Sequence, residues 1–131
     1  MLGKNFDKKI VLAMARGTIV LDENLFHLED LLRDINVRVV KPRASMTDAR
    51  IIQELLSNRI LITNNSKDFI SKAAAYDYGI IATEFLSSKD PEGIVQKIHE
   101  ALIDLELWSR RHGFIVKLKD SGPPDFKALL G

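Results

Sequence analysis

Residues 18–40, TIVLDENLFHLEDLLRDINVRVV, decide the fold class. Thr18-Ile19-Val20-Leu21 is a short apolar run rich in β-branched residues and without alternation, the pattern of a strand buried on both faces. After Asp22-Glu23-Asn24 the period changes, and Leu25, Leu28, Leu31, Leu32 and Ile35 fall on one helical face. Val37 to Val40 returns to a β-branched run. Strand, helix and strand in one uninterrupted stretch make a βα unit, and such units build parallel sheets.

The alternation continues towards the C-terminus. Lys41-Pro42 ends the second strand, and Ser45-Met46-Thr47-Asp48 starts a helix whose apolar face is Ile51, Ile52, Leu55 and Leu56. Ile60-Leu61-Ile62-Thr63 is the third strand, Asn64-Asn65-Ser66 a polar turn, and a short helix follows around Asp68 to Ala75. Gly79 to Thr83 is the fourth strand. Asp90-Pro91 opens the longest helix, because Asp caps well and Pro suits the first helical position. Its stripe is Ile94, Val95, Ile98, Leu102 and Leu105. Phe114 to Leu118 supplies a fifth strand, and Ser121-Gly122-Pro123-Pro124 breaks into a loose tail over 121–131. Residues 1–16 precede the first strand as a basic extension, in which Phe6, Ile10, Val11 and Met14 suit a short amphipathic helix. The expectation is a single α/β domain over 1–131, three-layered, its mostly parallel sheet of about five strands flanked by helices.

Composition agrees with one ordinary globular domain: 131 residues, of which 46% are hydrophobic and 28% charged. There is no cysteine, which excludes a disulfide framework and thiolate zinc sites and fits a reducing compartment. No apolar run approaches the roughly 20 residues of a membrane-spanning helix, and the first residues lack the apolar core of a signal peptide. A soluble, cytoplasmic protein with no membrane attachment is expected. The net charge of +1 neither demands nor forbids a polyanionic partner, but its distribution is uneven. Arg38, Lys41, Arg43, Arg50 and Arg59 make 37–60 basic, as Lys4, Lys8, Lys9 and Arg16 do for 1–16, while Asp22, Glu23, Glu29, Asp30 and Asp34 make 22–34 acidic.

In an open parallel sheet the loops beyond the carboxyl ends of the strands form the binding crevice. That rule selects Asp22, Glu23 and Asn24 after the first strand, Asp48 after the second, Thr63, Asn65 and Asp68 with the third, and Glu84 after the fourth. Carboxylates gathered on one edge repel one another unless a cation sits among them, and hard oxygen donors suit Mg²⁺ or Mn²⁺.

Three segments together resemble PIN-like nuclease domains, especially the small stand-alone bacterial group. They are Ile19-Val20-Leu21-Asp22-Glu23-Asn24-Leu25, the Ile-Ile-x-x-Leu-Leu helix opened by Asp48, and Ile60-Leu61-Ile62-Thr63-Asn64-Asn65-Ser66-Lys67-Asp68-Phe69; the likeness spans about residues 18–85. What the resemblance implies is a metal-dependent ribonuclease that cleaves RNA phosphodiester bonds, with acids at the strand ends holding one or two Mg²⁺ or Mn²⁺ ions. It carries over to Asp22 as the first-strand ligand, Asp48 as the acid at the head of the following helix and Asp68 as the acid after the third strand. Thr63, Asn65 and Asn24 would orient ligands or substrate, with Glu23 and Glu84 as secondary metal ligands. Asn65 stands where many relatives carry an aspartate. Two readings follow: an active nuclease in which Asp68 takes over that work, and a catalytically silent module that holds RNA or a protein partner. Many small relatives are toxins, so the resemblance adds a small antitoxin-like protein to the partners, and a homodimer suits so short a domain.

Each of these residues also has a structural explanation. Asp22 suits the N-cap of the helix after it, and Asp48, three residues after Ser45, suits a capping box or the helix dipole. Asp68 fits the first turn of its short helix in the same way, Thr63 and Asn65 are common turn residues, and Glu84 fits a solvated surface. Other chemistries fare worse. His27, His99 and His112 show no ligand spacing, and Gly17 and Gly79 precede strands where a phosphate-binding loop would follow one. Trp108 with Leu105 and Leu107 reads as core or a partner patch, and Arg110, Arg111 and His112 suit a helix terminus as well as RNA. A phosphoacceptor receiver domain would use an acidic pair such as Asp22-Glu23, but the third strand offers Thr63 in place of an acceptor aspartate and no matching late lysine is clear.

Overall fold

The computed structural model describes residues 19–105 and 113–129; the basic extension 1–16, Thr18 and the Trp108 to His112 cluster lie outside the described residues. The strands are β1 (Ile19–Leu21), β2 (Val39–Val40), β3 (Ile60–Thr63), β4 (Gly79–Ala82), β5 (Phe114–Lys117) and β6 (Asp125–Ala128). The helices are α1 (Glu29–Asp34), α2 (Asp48–Glu54) and α3 (Pro91–Leu105). A 3₁₀ segment, Glu23–Leu28, leads into α1, and two single 3₁₀ turns, Ser66–Asp68 and Ile70–Lys72, join β3 to β4.

All six strands form one sheet in the order β2-β1-β3-β4-β5-β6. β1 to β5 run parallel, and β6 pairs antiparallel with β5. Alternation along each strand sends side chains to two cores. Ile19, Leu21, Ile62, Ile81, Phe114 and Val116 face one side, where the Glu23–Leu28 segment, α1 and α3 cover them. Val20, Leu61, Ile80, Ala82 and Ile115 face the other, under α2 and the Phe69 to Tyr78 stretch. Both faces of β1, β3, β4 and β5 are therefore largely dry, which is why the sequence shows continuous apolar runs there.

The connections explain where a site belongs. From β1 the chain steps to β2 on one side, and β3 lies on the other side of β1, so the strand order reverses between β1 and β3. Open α/β sheets take ligands at the carboxyl ends flanking such a reversal. The step from β4 to β5 goes the same way along the sheet as the step from β3 to β4, yet α3 packs on the opposite face from the 3₁₀ turns. That last crossover is therefore opposite in hand to the others, an uncommon arrangement.

Several expected boundaries shift for local reasons. The helix expected from Leu25 tightens first into 3₁₀ geometry, and α-helical geometry begins only at Glu29. The second strand contracts to Val39–Val40 because Val37 turns into the core at 1% exposure while its N–H donates to the Leu32 carbonyl at 2.9 Å. Thr47, not Ser45, caps α2, accepting the Arg50 N–H, and Ser45 instead takes a left-handed φ of 65°. The helix expected around Asp68 to Ala75 is two single 3₁₀ turns. The tail over 121–131 is not loose throughout: Asp125–Ala128 forms a sixth strand, exposed at all four residues. Asp-Phe-Lys-Ala has no β-branched residue and no buried face, so only its pairing partner reveals it. Asp90 opens α3 as expected, its carboxylate accepting the Gly93 N–H at 3.0 Å and its carbonyl the Ile94 N–H at 3.0 Å.

Among the described residues no helix is long and apolar enough to cross a membrane.

Candidate metal centre

The carboxyl ends of β1 and β3 bring Asp22 and Thr63 together. Asp22 is the first residue past β1, and its N–H still donates to the Ile62 carbonyl at 3.0 Å, so the sheet ladder fixes its backbone. It occupies the N-cap position of the Glu23–Leu28 segment, but its side chain accepts no capping hydrogen bond. Instead Thr63 Oγ1 donates to Asp22 Oδ2 at 2.6 Å. Helix capping therefore does not account for this carboxylate.

Thr63 is fully buried, and its hydroxyl works in both directions, accepting the Asn65 N–H at 3.0 Å while donating to Asp22. The turn after β3 is tied down on further sides. Asn65 Nδ2 donates to Asp68 Oδ2, orienting that acid. Glu84 Oε2 accepts both the Ser66 N–H at 2.9 Å and the Ser66 hydroxyl at 2.6 Å. Behind the turn, the buried Tyr78 donates its phenol to the Phe69 carbonyl, and burial pushes that phenol up to about 12. Ser66 and Tyr78 carry no signature that would have marked them in the sequence as braces of an acidic loop.

Asp48 joins these groups electrostatically. It stands in the first turn of α2, while Thr47 does the capping. Although the residue is exposed, partial burial of its carboxyl raises its pKa above the usual value, and the charges of Asp68 and then Asp22 raise it further. Asp22, Asp48 and Asp68 thus share one field across three different connections. Glu23 and Asn24 are exposed, and Asn24 reaches only Asn64, at 3.5 Å. Glu84 belongs to the turn's framework: one of its oxygens is engaged by Ser66, and the other, Oε1, is buried with no hydrogen-bond partner among the described residues.

The acids lie within electrostatic reach without closing on one point: among the described residues no three His, Asp or Glu side chains form a ready coordination shell. Mg²⁺ keeps several waters and is commonly held by one or two carboxylates, so a hydrated ion needs fewer protein ligands than such a shell would provide. Burial first and then the like charges of Asp68 and Asp22 raise the Asp48 pKa, and Glu84 Oε1 has no hydrogen-bond partner among the described residues. Of the basic residues over 37–60, four are engaged elsewhere. Lys41 pairs with Glu29 at 2.9 Å and Arg50 with Glu54 at 2.6 Å, Arg43 approaches Glu54 at 3.9 Å, and Arg59 donates to the Leu55 carbonyl at 3.1 Å.

No family model, curated protein or solved structure matches the chain. The functional reading therefore rests on the residues themselves. A phosphoacceptor site is disfavoured by them: β3 ends in Thr63, whose proton is committed to Asp22, and Lys117, the lysine that ends β5, lies over the Phe85 ring with its ammonium 5.1 Å from the centroid.

Proposed function

We propose that this protein is a PIN-like, Mg²⁺- or Mn²⁺-dependent endoribonuclease in which Asp22 and Asp48 hold the cation and Asp68 completes the negative field. One observation carries the reading. Asp22 stands at the strand-order reversal, is free of helix capping, is oriented by a buried threonine, and is electrostatically coupled to Asp48. When bound, the cation would supply charge neutralisation at the scissile phosphate and a more acidic attacking water. The chain's own contribution is preorganisation. Thr63 fixes the Asp22 rotamer, Asn65 fixes Asp68, and Glu84 fixes the turn between them, so the acids need not reorganise as charge builds on the phosphate. A small protein partner restraining the activity is compatible with this proposal.

The second reading, a catalytically silent module that holds RNA, is favoured by Asn65, which places a neutral amide beside Asp68. The two separate in a cleavage assay on a mixed structured and single-stranded RNA pool with Mg²⁺, Mn²⁺ or EDTA. Metal-dependent cleavage that falls about a hundred-fold or more in Asp22→Ala, with the fold retained, is the expected outcome. RNA left intact under every metal by folded wild-type protein would give the silent reading the lead.

A further inference from the structure

We propose that Phe85 and Lys117 form a stacking platform for a nucleobase of single-stranded RNA beside the acidic cluster, an inference that rests on RNA being the ligand of that site. The sequence places two large apolar residues side by side after β4, and the fold treats them oppositely. Leu86 is buried at 5% exposure, whereas Phe85 is 48% exposed. The backbone around Phe85 is held from both directions. Glu84 is bound to Ser66, the Leu86 N–H donates to the Thr83 carbonyl at 3.2 Å, and the Ser87 N–H donates to Asp120 Oδ1 at 3.0 Å. The ring stands half exposed on an anchored backbone with Lys117 over one side, so a base meets its remaining surface with little ordering left to do.

Charge chooses the ligand. Lys117 Nζ lies 5.1 Å from the Phe85 centroid, whereas Lys119 is paired with Asp125 at 3.1 Å and Lys89 donates to the Leu86 carbonyl at 3.2 Å, so Lys117 is the ammonium that the ring brings to a ligand. Lysine is depleted in protein–protein interfaces, while an aromatic face beside ammonium groups is the recurring device for single strands, with the base on the ring and the phosphate on the cation. Duplex RNA keeps its bases stacked internally and offers no free face. Position completes the argument, because Phe85 directly follows Glu84, whose carboxylate is bonded to the turn that carries Asp68.

The test uses the full chain in EDTA, so that binding is read without cleavage, and follows the anisotropy of 5′-labelled hexa-adenylate RNA and of an abasic ribose-phosphate strand of equal length. Phe85→Tyr and Phe85→Trp keep an aromatic face, whereas Phe85→Leu keeps apolar bulk and loses it. Expected are hexa-adenylate affinity that is retained in Tyr, raised in Trp and lowered roughly ten-fold in Leu, with the abasic strand indifferent to all three. Lys117→Gln should make the salt dependence shallower by about 0.7 in log K against log salt, the contribution of one phosphate on a single strand. Equal hexa-adenylate affinity in wild type, Leu and Trp overturns the platform, as does absence of binding by the wild type or a loss shared by the abasic strand. Cleavage that is normal with an indifferent Phe85 removes this inference alone; base-dependent binding without cleavage under any metal removes the nuclease reading alone.

Discussion

Thr63 carries more of the site than any single acid does, because one buried hydroxyl serves both Asp22 and the Asn65 N–H. Thr63→Val keeps the shape and removes both interactions. Cleavage should fall about 10- to 100-fold, as for other residues that orient metal ligands, and urea unfolding should show a loss of about 1–3 kcal/mol from the stranded N–H. Asp48 obeys the opposite logic. Burial first, then the charges of Asp68 and Asp22, lift its pKa in the folded state above the 3.8 of the free side chain. The native state therefore binds more protons than the unfolded state in the interval above 3.8, and stability declines as pH rises through that interval. Asp48→Asn should raise the melting temperature in EDTA at pH 7, lose that advantage in acid below the unfolded pKa, and suppress cleavage. A variant less stable than wild type at pH 7 would contradict a charged Asp48 made costly by burial and by its acidic neighbours.

At the scale of elements, the tightest constraint lies where β4 meets β5. Gly79 pairs with Phe114, and a methyl group at Gly79 would lie 2.1 Å from Phe114 Cζ, with two further ring atoms at 2.4 and 2.7 Å. The ring itself is fully buried and has no room to withdraw. Gly79→Ala should cost about 3 kcal/mol in chemical denaturation, and pairing it with Phe114→Leu should recover part of that loss as a favourable coupling. Such contacts mark the limit of what the chain reveals on its own. The runs Ile19-Val20-Leu21 and Ile60-Leu61-Ile62-Thr63 were legible because continuous β-branched residues have few uses other than a strand buried on both faces. Asp90-Pro91 was legible because capping is local. β6 was not, since its pairing depends on β5, and the single turns after β3 were not, since their geometry is set by Glu84 and Tyr78 from elsewhere in the chain.

For the whole molecule, the α/β class, its mostly parallel sheet and the strand ends on which the acids sit could be read from the sequence, whereas the separation of the acids could not. Pattern gives the strand end on which an acid sits; distance depends on the order of strands, which places β1 beside β3. If the acids bind a divalent cation in the native state only, Mn²⁺ at a hundred times its dissociation constant adds about 2.7 kcal/mol, and the melting temperature should rise by roughly 10 °C. Differential scanning fluorimetry of wild type and of Asp22→Asn would show it, with the shift absent in the variant; an equal shift in both would place the cation elsewhere. The opposite hand of the last crossover has a further effect. It sets the long α3 beside α1 on one face and leaves the other to α2 and single 3₁₀ turns. Short helical segments open at lower free energy than long packed ones, so one side of the sheet is stiff and the other compliant. Asp48 and Asp68 ride on the compliant side, while Asp22 is rooted in the sheet. The hydrogen bonds of Asn65 and Glu84 are thus the bolts that hold Asp68, on the lighter wall, in place opposite the anvil of the sheet.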